Sequence, residues 1–138
     1  MEHEEYMRQA LELARLAMAE GEVPVGCVIV RDGAVVGRGR NRRETAQTAL
    51  GHAELEAIAQ ACRTLGGWRL AGCALYVTLE PCPMCAGAIV NARIPAVYYG
   101  AKDDKAGCCG SVLNLFDKRL KTGVCIQIVF QAHVHADG

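Results

Sequence analysis

The sequence has no surplus of either charge, because 15 Lys and Arg balance 15 Asp and Glu. No global positive field can steer an anionic partner, so any such partner must be held by a local patch. Long apolar runs are missing too. No stretch approaches the roughly 18 apolar residues of a membrane span, and no membrane partner is expected. The opening MEHEEYMRQA lacks the basic start and continuous apolar run of a secretory leader. Glycine and proline are modest, at 15 and 4 of 138 residues, which excludes a collagen-like repeat. A composition of 51% hydrophobic and 22% charged residues excludes disorder. Eight cysteines are too dilute for a disulfide-stapled miniature fold. The expected compartment is the reducing cytoplasm, where thiols act as core fillers or metal ligands. What remains is a compact globule, expected to be a single domain over residues 1–138.

Apolar periodicity supplies the elements. Met7, Ala10, Leu11, Ala14, Ala17 and Met18 share one stripe, and Gly21 follows, which predicts an amphipathic helix over residues 3–20. Two runs, from Val25 to Val30 and from Ala34 to Gly37, flank Asp32-Gly33, the dipeptide that a type I′ hairpin favours. A polar loop from Asn41 to Gly51 leads into a second helix starting near His52, with Leu55, Ile58, Cys62 and Leu65 on one stripe and Gly66-Gly67 as its stop. The run from Cys73 to Leu79 is nearly all apolar, as expected of a strand covered on both faces. Pro83 can open a third helix, since its missing amide hydrogen is not needed there. Ala96 to Gly100 reads as a strand parallel to the previous one, and Val124 to Phe130 as the last strand.

Both predicted helix starts carry potential ligands. One is His52-Ala53-Glu54, the other Pro81-Cys82-Pro83-Met84-Cys85. If each helix follows the carboxyl end of a strand in an open sheet, the two starts lie along one edge. A thiolate is favoured at a helix N-terminus, and the offset from Cys82 to Cys85 lets both sulfurs face one ion. One imidazole and two thiolates make three zinc ligands, leaving a fourth position for water, as in catalytic zinc sites. Glu54, in the same first turn as the ligand histidine, is placed to move protons. Each motif alone is weaker. Cys-x-x-Cys beside a strand and helix also fits a redox pair or half of a structural zinc knuckle, and a glutamate at a helix start also fits simple capping. The combination of His-x-Glu with Pro-Cys-x-x-Cys marks the zinc nucleobase deaminases.

The chain resembles the tRNA adenosine deaminases of the cytidine-deaminase-like superfamily. The resemblance runs from the first helix to about Phe116, over Glu22-Val-Pro-Val-Gly26, Asn41, His52-Ala-Glu54, Trp68-Arg69-Leu70, the run from Leu75 to Ala88, and Gly107 to Ser111. The zinc motifs identify the superfamily. Cys85-Ala-Gly-Ala, Arg93-Ile94 and the Gly-x-x-Gly-Ser loop favour this branch. The resemblance implies an α/β fold, a three-layer α/β/α cytidine-deaminase-like sandwich on a five-stranded mixed sheet. It also implies a homodimer and hydrolytic conversion of adenosine to inosine at the wobble position of a tRNA anticodon stem-loop. One zinc ion per chain would be held by His52, Cys82 and Cys85, with Glu54 as the proton shuttle. Asn41 matches an asparagine that hydrogen-bonds the target base, and Asp103 an acid near the ribose, where a carboxylate can accept a 2′-hydroxyl. Single-stranded DNA is not the expected preference.

The local basic clusters are Arg38-Gly-Arg-Asn-Arg-Arg43 and Lys118-Arg-Leu-Lys121. Either can be a phosphate contact or a solvated face. Cys27, Cys62, Cys73 and Cys125 fall on strand or helix stripes and are expected to pack as small hydrophobes. Cys108-Cys109 reads as loop packing, and His133-x-His135 as a frayed end. Two departures stand out. The long basic C-terminal helix of the family is apparently missing, which would leave one sheet face uncovered, and Gly51 replaces a common alanine in what reads as a harmless change. Two other readings stay open: deamination of a free base or nucleoside, such as guanine or cytosine, and a silent RNA-binding pairing subunit, against which Glu54 argues.

Overall fold

The computed structural model describes residues 2–128. In chain order the elements are α1 (Glu2–Ala19), β1 (Gly26–Arg31), β2 (Ala34–Arg40), α2 (Ala53–Leu65), β3 (Cys73–Leu79), α3 (Pro83–Asn91), β4 (Ala96–Ala101), a 3-10 turn at Lys118–Leu120, and β5 (Cys125–Ile128). The expected His133 and His135, and the end of the last strand at Phe130, lie outside the described residues.

Five strands form one sheet in the order β2-β1-β3-β4-β5. The β1–β2 hairpin turns at Asp32 and Gly33, both at positive φ (51° and 77°), as a type I′ turn requires. Strand β1 is antiparallel to both β2 and β3, so β2 and β3 run in the same direction. Strands β3, β4 and β5 are mutually parallel. The carboxyl ends of β2, β3 and β4 therefore share one edge of the sheet, and α2 and α3 both start from it.

Three layers follow from which residues each strand turns to each side. Cys27, Ile29, Leu75, Val77, Val97 and Tyr99 pack against α2 and α3 in one buried cluster. On the opposite face Val28, Val30 and Tyr76 pack against Met7 and Ala10 of α1. Central β1 and β3 bury both faces, which is why their sequences are apolar without alternation.

Helix α2 comes unusually close to the sheet. Its fully buried stripe is Ala53, Ala57 and Ala61, whereas the bulkier Leu55, Ile58, Cys62 and Leu65 are only partly buried beside it. The small stripe lies over β2, where a Cβ on Gly39 would be 2.1 Å from the Ala53 carbonyl oxygen and one on Gly37 would be 2.3 Å from that of Ala57. Gly66, left-handed at φ 75°, ends the helix by donating its amide to Cys62.

At the other edge β5 is thinly covered, with Cys125, Gln127 and Ile128 exposed. Cys125 was expected to pack as a core thiol; it is exposed because it stands on the edge strand, while Cys27 and Cys73 are buried in the sheet centre. Helix α1 packs over β1, β2 and β3. Among the described residues no helix is long and apolar enough to cross a membrane.

Candidate active site

Two helix starts meet at the shared sheet edge. His52 is the N-cap residue of α2, with extended backbone (φ −97°, ψ 147°) and no side-chain cap bond, so its imidazole is not consumed by the helix end. Cys82 is the N-cap residue of α3, also extended and without a side-chain cap bond, and Pro83 follows at the helix start. Cys85 lies one turn further on and is fully buried.

The ligand atoms converge. His52 Nδ1 is 3.6 Å from Cys82 Sγ and 3.5 Å from Cys85 Sγ. All three ligand atoms lie within 4.8 Å of one another. Zinc bonds of about 2.3 Å to sulfur and about 2.0–2.1 Å to nitrogen, set at a tetrahedral angle, give a sulfur–nitrogen edge of about 3.6 Å. Both sulfur–nitrogen distances match that edge, and the donor set could hold a metal ion. A hydrogen bond from Cys85 holds the Cys82 thiol down at about 5 against the opposing effect of burial, while the same bond, with burial, drives Cys85 far upward. The lowered thiol is the one beside the first amides of α3, where a thiolate is favoured.

A cavity of about 210 Å³ opens beside this cluster. His52, Glu54 and Cys82 line it together with the apolar Val23, Val25 and Leu79 and with Asn41, Arg43, Glu80, Asp103 and Ala106. Glu54 is only 4% exposed, and burial, helped by the charge on Cys82, pushes its carboxyl up to about 7. A carboxyl with both protonation states accessible near neutrality can accept and return a proton. Asn41 is 5% exposed, and its side chain makes no hydrogen bond to the described residues. Its amide is therefore available to a ligand in the cavity. Asp103 also lines the cavity, though its Oδ1 accepts the amides of Lys105 (3.0 Å) and Ala106 (3.3 Å), leaving Oδ2 for anything else.

Two buried carboxylates outside the ligand cluster, Glu80 and Glu22, shape the cavity in a role that sequence reasoning missed. Glu80, 2% exposed, accepts the amides of Asp103 (3.1 Å), Cys109 (2.7 Å) and Ser111 (3.2 Å) and the Ser111 hydroxyl. Burial opposes its ionisation, but these donors outweigh that and hold its carboxyl below the ordinary value. Glu22, 5% exposed, accepts the amides of Glu44 (3.2 Å) and Thr45 (2.7 Å) from the loop after β2. Each glutamate thus fixes one of the two loops beside the cavity. Cys108 is buried in the second loop and Cys109 packs on the core, in line with the packing role expected of both. In the basic segment after β5's neighbour β4, Arg119 forks onto Asp117 at 2.9 Å and lies outside the cavity lining.

Known proteins match this chain closely. The tRNA-specific adenosine deaminase of Bacillus subtilis (strain 168) is 50% identical over 113 residues, which is 82% of this chain and 70% of that protein. A structure solved for A-to-I editing by tRNA:A34 deaminases superposes with a TM-score of 0.85 at 42% identity, covering 94% of this chain and 99% of the other. A guanine deaminase from Bacillus subtilis superposes with a TM-score of 0.71 at 45% identity, over 74% of this chain and 66% of the other. The MafB19-like deaminase family matches residues 1–133. A mixed five-stranded sheet between helices, a His-Cys-Cys cluster at two helix starts and these matches together place the chain in the MafB19-like deaminase family, in its tRNA-specific adenosine deaminase branch.

Proposed function

We propose that this chain hydrolytically deaminates adenosine to inosine in RNA, at the wobble position of a tRNA anticodon loop. The observation that carries this is the His52, Cys82 and Cys85 cluster beside a cavity that His52, Cys82 and Glu54 line together. In this reading residues 1–138 are one deaminase domain, and His52, Cys82 and Cys85 hold a single zinc ion. When bound, that ion supplies a Lewis acid able to make a water molecule nucleophilic at neutral pH.

The chain's own groups do the rest. Val25 and Leu79 flank a base that has left its stack, and the Asn41 amide fixes its orientation by hydrogen bonding. Glu54 takes the proton that water loses on adding to C6 and delivers it to N1. It then takes the proton of the new C6 hydroxyl and passes it to the exocyclic amine, which leaves as ammonia as the C6 carbonyl forms, so that adenosine and water become inosine and ammonia. Asp103 Oδ2 can accept the 2′-hydroxyl of the target ribose, favouring RNA over DNA. The apolar groove lined by Leu55, Met84, Leu115 and Leu120 supports a homodimer, and the tRNA substrate supports a cytoplasmic location.

A second reading is kept because of the guanine deaminase match at 45% identity. Under it the cavity takes a free base, and no polynucleotide is needed. Zinc-loaded protein is incubated with an anticodon stem-loop carrying a wobble adenosine and, separately, with free bases and nucleosides, and products are scored by mass. A one-dalton gain on the stem-loop alone is expected; turnover of guanine with an untouched stem-loop overturns the RNA reading. Glu54→Ala is expected to lower stem-loop turnover by at least about a hundredfold while zinc content by elemental analysis is retained. Full activity in that variant removes Glu54 from the mechanism.

A further inference from the structure

The segment Arg38–Arg43 holds four arginines that the sequence cannot rank, but their surroundings differ sharply. Arg40 forks onto Glu20, just past the end of α1, through two contacts of 2.9 Å. Arg42 Nε stands 2.7 Å from Glu56 Oε2 on α2. Arg38 lies outside the cavity lining, on the edge strand. Arg43 lines the cavity, and its side chain makes no hydrogen bond or ion pair with the described residues.

The backbone of Arg43 is held from several sides. Its carbonyl accepts the Thr48 amide (3.1 Å), the preceding Arg42 amide donates to Gly51 (2.8 Å), and Glu22 accepts the next two amides. Gly51 is part of this fit. A Cβ there would stand 2.8 Å from the Arg43 nitrogen and 2.8 Å from the Arg42 carbonyl carbon, so an alanine would push the segment away. The glycine that reads as harmless in the sequence therefore permits the close approach of the Arg42–Arg43 peptide to the residue that precedes His52. Charge points the same way. The lining carries the carboxyls of Glu54, Glu80 and Asp103, which oppose a polyanion, and Arg43 is its single guanidinium.

We propose that Arg43 grips the phosphodiester next to the nucleotide whose base enters the cavity, and so makes this site prefer a polynucleotide to a free base. The inference rests on the RNA reading above. A guanidinium with no partner on the chain need break no existing contact to bind, its backbone is already fixed, and its fork matches phosphate oxygens. Arg40 and Arg42, already paired, hold the loop instead.

The test measures binding of a fluorescent anticodon stem-loop to the full chain by anisotropy across a series of salt concentrations, with steady-state deamination alongside. Arg43→Ala is expected to weaken binding about tenfold, raise KM more than it lowers kcat, and reduce the slope of log affinity against log salt by about 0.7–0.9, the share of one phosphate. Arg43→Lys, which keeps the charge, should retain the slope, and Arg38→Ala should leave it as in the unaltered chain. An Arg43→Ala slope equal to that of the unaltered chain, or an equal fall in Arg38→Ala, overturns the assignment. If the unaltered chain ignores the stem-loop and consumes free bases, it is the RNA reading that fails, so the two failures are distinguishable.

Discussion

Glu22 contributes to the site without touching it. Burial opposes ionisation of its carboxyl, but the amides of Thr45 and Glu44 hold it below the ordinary value of 4.5. A carboxyl lowered on folding adds stability that is fully present above its unfolded value and is lost as pH falls through the folded one. Glu22→Gln should therefore melt below the unaltered protein at neutral pH, and the two melting curves should start to approach near pH 4.5 and converge only below it, as pH falls through the lowered folded value and the carboxyl becomes neutral. Parallel curves across that range would remove Glu22 as a charged anchor of the loop. The contrast with the ligand cluster shows what a sequence makes legible at this scale. His52, Glu54, Cys82 and Cys85 are readable because their chemistry is local, with spacings of two and three residues at the start of a helix. Glu22 and Glu80 take their meaning from amides more than twenty residues away, which no spacing encodes. Arg43 was visible only as one member of a basic run; its distinction is that its neighbours are neutralised by Glu20 and Glu56.

Elements were legible where their pattern is set by burial on both sides or by a turn. Strand β3 has the bounds its apolar run predicts, and the Asp32-Gly33 turn has the expected backbone. Strand β2 runs on to Arg40, past the expected end at Gly37, because on an edge strand alternate arginines face outward and hide the pattern. Helix α2 misleads in a different way. Its large apolar residues announce the stripe, yet the deepest contact is made by alanines over β2 glycines, since close approach selects for small side chains. That contact also sets the position of His52 and Glu54, at the start of the same helix. Gly39→Ala, whose Cβ would meet the Ala53 carbonyl, should lower stability by about 1–3 kcal/mol by chemical denaturation. Because the displaced segment adjoins a ligand, metal affinity should fall in the same variant. Undiminished metal affinity together with lowered stability would show that the ligand cluster is positioned by α3 and not by the seating of α2.

For the molecule as a whole, the layers meet at the edge where β2, β3 and β4 end, and the ligand cluster ties two of the helices there to each other. Helices α2 and α3 otherwise share few contacts, and each packs mainly on the sheet. All eight cysteines are free, so no covalent link is available to join these elements. A metal at His52, Cys82 and Cys85 would act as a cross-link between the two helix starts, and ligand binding to the folded state alone adds stability as RT ln(1 + [L]/Kd). At a thousandfold excess over Kd this is about 4 kcal/mol, which for a domain of this size shifts melting by roughly 10 °C or more. Metal removal by a chelator should therefore lower the melting temperature by about that amount, and added zinc should restore it. His52→Ala, lacking one ligand, should show a smaller shift between its metal-free and metal-loaded forms. If chelation empties the protein of metal, as elemental analysis can establish, and the melting temperature does not move, then the ion sits on a scaffold that α2 and α3 have already built, and its contribution is to chemistry alone.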